Sequence, residues 1–296
     1  MFSGRAGQAY WTVSILNLQC VLTLAKFQKN SVLNFYYREQ PFIPFPGKDY
    51  DRKCRELRQN FSDVPFLDLP LSPPAFIHIP KTGGASIEKQ LGQRYNFNKR
   101  EFGNCTENPG SVICHCSAWH IPPRYLTPNP YKRGTRKTFC VIREPLDRGL
   151  SEIKMKMPAQ KQKTRESIIQ QANRVLREYV KKGSENVAVW SDDCHWMPQF
   201  VYVWNGNGAP TCDYILRYED GLNESYTHLM SNVLKKNKKR ESTLTFHQTH
   251  HSRFLETLTV NDINADVALA FRRLYWEDSC LFGYNLGTNL SSSTLE

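Results

Sequence analysis

Phe76-Ile77-His78-Ile79-Pro80-Lys81-Thr82-Gly83-Gly84-Ala85-Ser86 sets an apolar run and a proline ahead of a lysine, two hydroxyl residues and two glycines. An amphipathic segment follows. The order predicts a strand over 75–79, an anion-binding loop over 80–85 and a helix over 86–95. Ser86 is placed to cap that helix, and Glu88 suits its first turn. Glycines let main-chain N–H groups turn around an oxyanion, and a helix start adds free N–H groups and the positive end of its dipole. Lys81 contributes a full charge. The stretch therefore points to a phosphate or sulfate ester. The nucleotide-kinase loop reads G-x-x-x-x-G-K-[ST], with its lysine after the glycines. Here the lysine precedes them, which argues against a P-loop kinase or NTPase. The plain alternative is a glycine turn before an ordinary helix.

A second motif makes that alternative hard to keep. Thr138-Phe139-Cys140-Val141-Ile142-Arg143-Glu144-Pro145-Leu146-Asp147-Arg148-Gly149-Leu150-Ser151 is again strand, turn and helix start. The apolar run over 138–142 reads as a buried parallel strand, Pro145 ends it, and a helix follows near 147–157. Arg143 stands at the carboxyl end of the strand, where open α/β sheets bind ligands. A guanidinium fork matches a phosphate, and the Ser151 hydroxyl can donate a further bond.

The two motifs together resemble PAPS-dependent carbohydrate sulfotransferases, which use 3′-phosphoadenosine 5′-phosphosulfate as donor. "HIPKTGG" is closest in wording to the Golgi branch of heparan sulfate 6-O and 2-O enzymes. The resemblance implies an α/β, P-loop-like sulfotransferase fold with a central, mainly parallel sheet flanked by helices. It implies that Lys81, Thr82, Gly83, Gly84, Ala85 and Ser86 cradle the 5′-phosphosulfate, and that Arg143 and Ser151 hold the 3′-phosphate. Lys81 would also stabilise charge on the leaving PAP. Ala85 departs from the family, which usually has a hydroxyl there. Weaker likenesses follow in Pro198-Gln199-Phe200, in Leu216-Arg217-Tyr218-Glu219-Asp220, and in Tyr275-Trp276-Glu277-Asp278-Ser279-Cys280-Leu281-Phe282-Gly283-Tyr284. The resemblance spans roughly 75–285.

Sulfuryl transfer needs a nucleotide site, a cation at the leaving phosphate and a base for the acceptor hydroxyl. Histidine titrates near working pH and is the natural base. In the family that histidine lies between the two nucleotide motifs, close to an aromatic residue. His120, beside Trp119 and Pro122-Pro123, is the first candidate, and His115 is the second. Glu88 is a carboxylate alternative. His78 reads as structural, while the spacing of His247, His250 and His251 assigns them nothing. No metal is required. Trp119, Trp196 and Trp204 are candidates to stack on sugar or adenine rings, although aromatics of this kind usually belong to the core.

The chain has 296 residues, enough for one large α/β domain. Its net charge of +11 suits an anionic partner. No zinc finger, RNA-recognition signature or basic–aromatic interleaving accompanies the basic runs, so a glycan acceptor is expected rather than nucleic acid.

Residues 75–285 read as the catalytic domain, 31–74 as a proline-rich stem or wrapping segment, 1–30 as a signal anchor or signal segment, and 286–296 as a polar tail. The uncharged run over 11–25 is the membrane candidate, weakened by Asn17 and Gln19. An amphipathic helix is its alternative. Further helices are expected over 165–182, after the strand over 212–219, and over 262–275.

A Golgi-lumen or secretory location, as a type II membrane protein if the anchor spans, agrees with the sequons at Asn60, Asn104, Asn223 and Asn289. Nine cysteines agree as well. Apart from Cys20, they allow up to four disulfides of unassigned pairing. Cys140, inside a core strand, reads as a free buried thiol. Cys114-His115-Cys116 lacks a second metal-type pair, so zinc is not expected there. Ala85 leaves room for a catalytically silent glycan- or nucleotide-binding protein on the same fold.

Overall fold

Three parallel strands in the order β1–β2–β3 organise the computed structural model. It describes residues 42–61, 74–91, 116–126, 129, 131, 137–157, 164–184, 190, 192–233 and 257–287. The strands are β1 (Ala75–Ile77), β2 (Thr138–Ile142) and β3 (Tyr214–Arg217). Every residue of β1 and β2 is buried, as a sheet covered on both faces requires. Alternation along the strands feeds two cores. Ala75, Ile77, Cys140 and Ile142 enter the larger one, and Phe76, Phe139 and Val141 enter the smaller. The chain is thus α/β, with helices on both faces of the sheet.

The helices are α1 (Tyr50–Asn60), α2 (Gly84–Leu91), α3 (Pro145–Lys156), α4 (Arg165–Ser184), the single turn α5 (Phe200–Val203), α6 (Leu222–His228), α7 (Ala265–Leu274) and α8 (Trp276–Phe282). In α4, Ile168, Ala172, Leu176 and Tyr179 recur at helical spacing and are buried. Pro145 both ends the strand segment and opens α3, where Glu144 is the N-cap and accepts from the Asp147 N–H. The first turn of α2 comes earlier than expected. The helix begins at Gly84, so Ser86 lies inside it and is not its N-cap. The expected helix over 262–275 is divided. Thr259 and Asp262 close a capping box around a short turn at Val260–Asp262, and α7 starts after it.

Residues 42–61, within the proline-rich segment, wrap onto the domain. Cys54 in α1 is bonded to Cys280 in α8. Arg58 donates to the Cys280 carbonyl, the Ile43 N–H donates to Glu277, and the Trp276 indole donates to the Ile43 carbonyl. Two further disulfides, Cys116–Cys194 and Cys140–Cys212, lie in the body of the fold. Cys140 is therefore not the free thiol expected. The register pairs Cys140 with Ile215, and Cys212, just ahead of β3, still comes to a Cα–Cα distance of 5.9 Å from Cys140, within bridging reach. Cys116 is likewise taken from any zinc site. Cys105, Cys114 and the segment over 10–27 lie outside the described residues. Among the described residues no helix is long and apolar enough to cross a membrane.

Candidate functional site

The three strands point their carboxyl ends at one place. His78 follows β1, Arg143 follows β2 and Tyr218 follows β3. The loop after β1 turns through two left-handed residues, Lys81 (φ 70°) and Gly83 (φ 91°). A lysine in that conformation costs about 1–2 kcal/mol, and the loop holds it there. The buried Thr82 hydroxyl donates to the Ile79 carbonyl at 2.8 Å. Thr82 thus ties the loop shut with its side chain. Gly84 is required by close approach, because a Cβ there would stand 2.6 Å from His78 Nε2. The first turn of α2 offers main-chain N–H groups without intrahelical acceptors. Ala85 is exposed on that turn, and Ser86 is buried behind it.

The second motif joins the first through Arg143. Its Nη1 donates to the Lys81 carbonyl at 3.2 Å, its Nε donates to Asp147 at 2.7 Å, and its guanidinium lies 4.1 Å over the Tyr218 ring. Ser151 sits on α3 one turn beyond Asp147, on the same face. The Arg143 main chain is clamped by Gln199, whose side-chain oxygen accepts from the Arg143 N–H while its amide donates to the Arg143 carbonyl. Asp278 in turn accepts from the Gln199 and Phe200 N–H groups. Glu219 accepts from the Glu144 N–H, and the Tyr284 hydroxyl lies 3.4 Å from Glu219. Four stretches that are far apart in the chain therefore meet around Arg143.

Beside the loop stands a row of three histidines, each with its own carboxylate. His78 Nδ1 is 2.6 Å from Glu88, His120 Nδ1 is 2.8 Å from Asp193, and His195 Nδ1 is 2.7 Å from Glu152. The His120 ring lies edge-on to both others, with centroids 4.9 Å from His78 and 4.8 Å from His195. The Cys116–Cys194 disulfide brackets the central pair, since His120 follows Cys116 and Asp193 precedes Cys194. Ser117 donates to Asp193 from both its N–H and its hydroxyl, and the Tyr202 hydroxyl donates to the His120 carbonyl at 2.7 Å. Asp192, Asp193 and Cys194 all have positive φ, in the left-handed region.

The electrostatics follow from that packing. Burial pushes the His120 imidazolium below its ordinary pKa, and the Asp193 hydrogen bond opposes this without reversing it. Burial would raise the Asp193 carboxyl, but the hydrogen bonds from His120 and Ser117 outweigh it and hold the group at about 2. An ionised Asp193 makes His120 Nδ1 the donor, so the other ring nitrogen is an acceptor. Burial also lowers Lys81, with Glu152 opposing. Glu152 is fully buried on α3 and faces two lysines and a histidine. It lies 4.0 Å from Lys81 and 3.2 Å from Lys156, besides its bond to His195. Burial alone would raise its carboxyl, yet those neighbours bring it below the usual range.

Lys81, the glycine loop, Arg143, Ser151 and His120 are thus brought to one edge of the sheet. Glu88 is not free to act as a base by itself, because it partners His78. His115, His247, His250 and His251 lie outside the described residues. Trp196 is in the core, stacked on Tyr179 at 4.0 Å, and Trp204 packs on Phe282 and Phe61. Trp119 differs. It is 43% exposed and lies 5.8 Å from the His120 ring. The sequence reading missed Asp193, Glu152 and His195. Glu152 adjoins Ser151 in the motif helix, and Asp193 and His195 flank a cysteine, which are the signals that could have drawn notice to them.

No protein-family model, curated protein or solved structure matches the chain.

Proposed function

We propose that the protein is a PAPS-dependent carbohydrate sulfotransferase of the Golgi type, moving a sulfuryl group to a glycan hydroxyl and releasing PAP. The observation that carries this reading is the hydrogen bond from Arg143 to the Lys81 carbonyl. It joins two anion-binding motifs at the carboxyl edge of a parallel sheet. A donor with phosphates at two ends of one nucleoside requires that pairing.

In this reading the loop and the α2 N-terminus bind the 5′-phosphosulfate. Arg143 is already oriented by Asp147, Gln199 and the Tyr218 face. It meets the 3′-phosphate together with Ser151. His120 takes the acceptor proton on the ring nitrogen opposite Asp193. The acceptor oxygen forms its bond to sulfur as the bond from sulfur to the phosphate oxygen breaks. Lys81 stabilises the negative charge left on that phosphate, and positioning with electrostatics supplies most of the rate. Trp119 offers a sugar ring an exposed aromatic face next to the base. The three disulfides among the described residues favour a lumenal or secreted setting.

The test is transfer of labelled sulfate from PAPS to a panel of glycans. The reading expects turnover that falls at least ~100-fold in Lys81→Ala and His120→Ala. Undiminished transfer by both variants, or PAP binding with no transfer to any acceptor, would overturn it. The second outcome would favour the silent binding protein.

A further inference from the structure

We infer that His120, Asp193 and His195 form a binding site for a divalent transition metal of zinc's class, and that an ion there shuts off the base. One ring nitrogen from each histidine and one Asp193 oxygen lie within 4.8 Å of one another. Two imidazoles and a carboxylate are a donor set that such metals take up with open positions left for water.

The surroundings add an independent reason. A metal-binding histidine usually gives its other ring nitrogen to a carboxylate or carbonyl, which fixes the ring and strengthens the ligand. His195 has that arrangement. Its Nδ1 is held by the buried Glu152 at 2.7 Å, and its Nε2 faces Asp193 Oδ2 at 3.9 Å. Asp193 is oriented by Ser117, and the Cys116–Cys194 bond keeps both halves of the site on one scaffold. Contraction by about 1 Å would bring the donors to zinc–nitrogen and zinc–oxygen distances near 2 Å. Lys81 and Lys156 are paired with Glu152 and Asp192, carboxylates outside the donor set.

Occupation of the site ends the base function whichever His120 nitrogen is used. An ion on the nitrogen opposite Asp193 takes the lone pair that would receive the acceptor proton. An ion on Nδ1 displaces its proton and leaves the other nitrogen as the donor. The inhibitory half of the inference rests on His120 being the base. The binding half does not.

Zinc ion alone, titrated calorimetrically into the full-length chain without donor or acceptor, tests the binding half. The wild type is expected to bind one ion with a dissociation constant at least ~10-fold tighter than His195→Ala or Asp193→Asn. Unchanged affinity and stoichiometry in both variants would overturn the inference. Cobalt absorption of the wild type needs no variant. Bands of nitrogen and oxygen ligation support the site, and a thiolate charge-transfer band would put the ion on cysteine and overturn it. Zinc binding that depends on His195 in a chain with no sulfotransferase activity would leave this site standing and remove the proposed function instead.

Discussion

His120 and Asp193, 73 positions apart, share a hydrogen bond of 2.8 Å whose carboxylate is ionised at any working pH. The bond makes Nδ1 the donor and leaves the other imidazole nitrogen as the acceptor of a hydrogen bond. Asp193→Asn keeps the shape and removes the charge. The expected result is a fall in kcat of about 100-fold or more, with KM for PAPS little changed. An unaltered kcat would show that the pair is structural.

The disulfides separate stability from activity. Cys54→Ser with Cys280→Ser releases α1 from α8 and leaves the site untouched. It should cost about 2–5 kcal/mol in chemical denaturation while kcat changes by less than about 3-fold. Cys116→Ser with Cys194→Ser frees both sides of the His120–Asp193 pair. It should lower kcat at least ~10-fold under conditions where the fold persists.

Gly84→Ala puts a Cβ against the His78 ring, which also meets the His120 ring. A stability loss of about 1–3 kcal/mol is expected, together with weaker PAP binding. Retention of both wild-type values would mean that the loop yields more freely than its packing implies.

Glu277 gives a stability signal that is independent of the site. Its carboxyl is fully buried, one oxygen has no partner among the described residues, and burial pushes its pKa well above the usual carboxylate value. With the folded value raised, the unfolded chain releases this proton first. Stability from this group is complete below the unfolded pKa and is lost as pH rises toward the folded one. Glu277→Gln removes the dependence. Between about pH 5 and about pH 8 the variant should gain stability relative to wild type in urea melts. Parallel curves would contradict the prediction.

Much of this was legible along the chain, because local chemistry declared it. The runs around Ile77 and Val141 end in a glycine loop and a proline, and both became buried parallel strands. The 3.6-residue recurrence from Ile168 to Tyr179 became α4. Asp193 was not legible. It lies in an aperiodic stretch and gains its role from contacts with Ser117 and His120, far away in sequence. Glu152 reads as one acid among the basic residues of an amphipathic helix until Lys81, Lys156 and His195 close on it. A stem or wrapping segment is expected over 31–74, but where α1 docks, on α8, was not legible for the same reason. Proline-rich composition gives no sign of a disulfide partner at Cys280.

Calorimetric titration of PAP into the wild-type chain and into Arg143→Ala, with ATP as competitor, tests the central claim most directly. The account predicts saturable PAP binding that weakens at least ~10-fold in the variant, the loss of a charge-assisted hydrogen bond. ATP, which lacks a 3′-phosphate, should displace PAP poorly. Absence of PAP binding by folded wild type, or equal binding by Arg143→Ala, would contradict it.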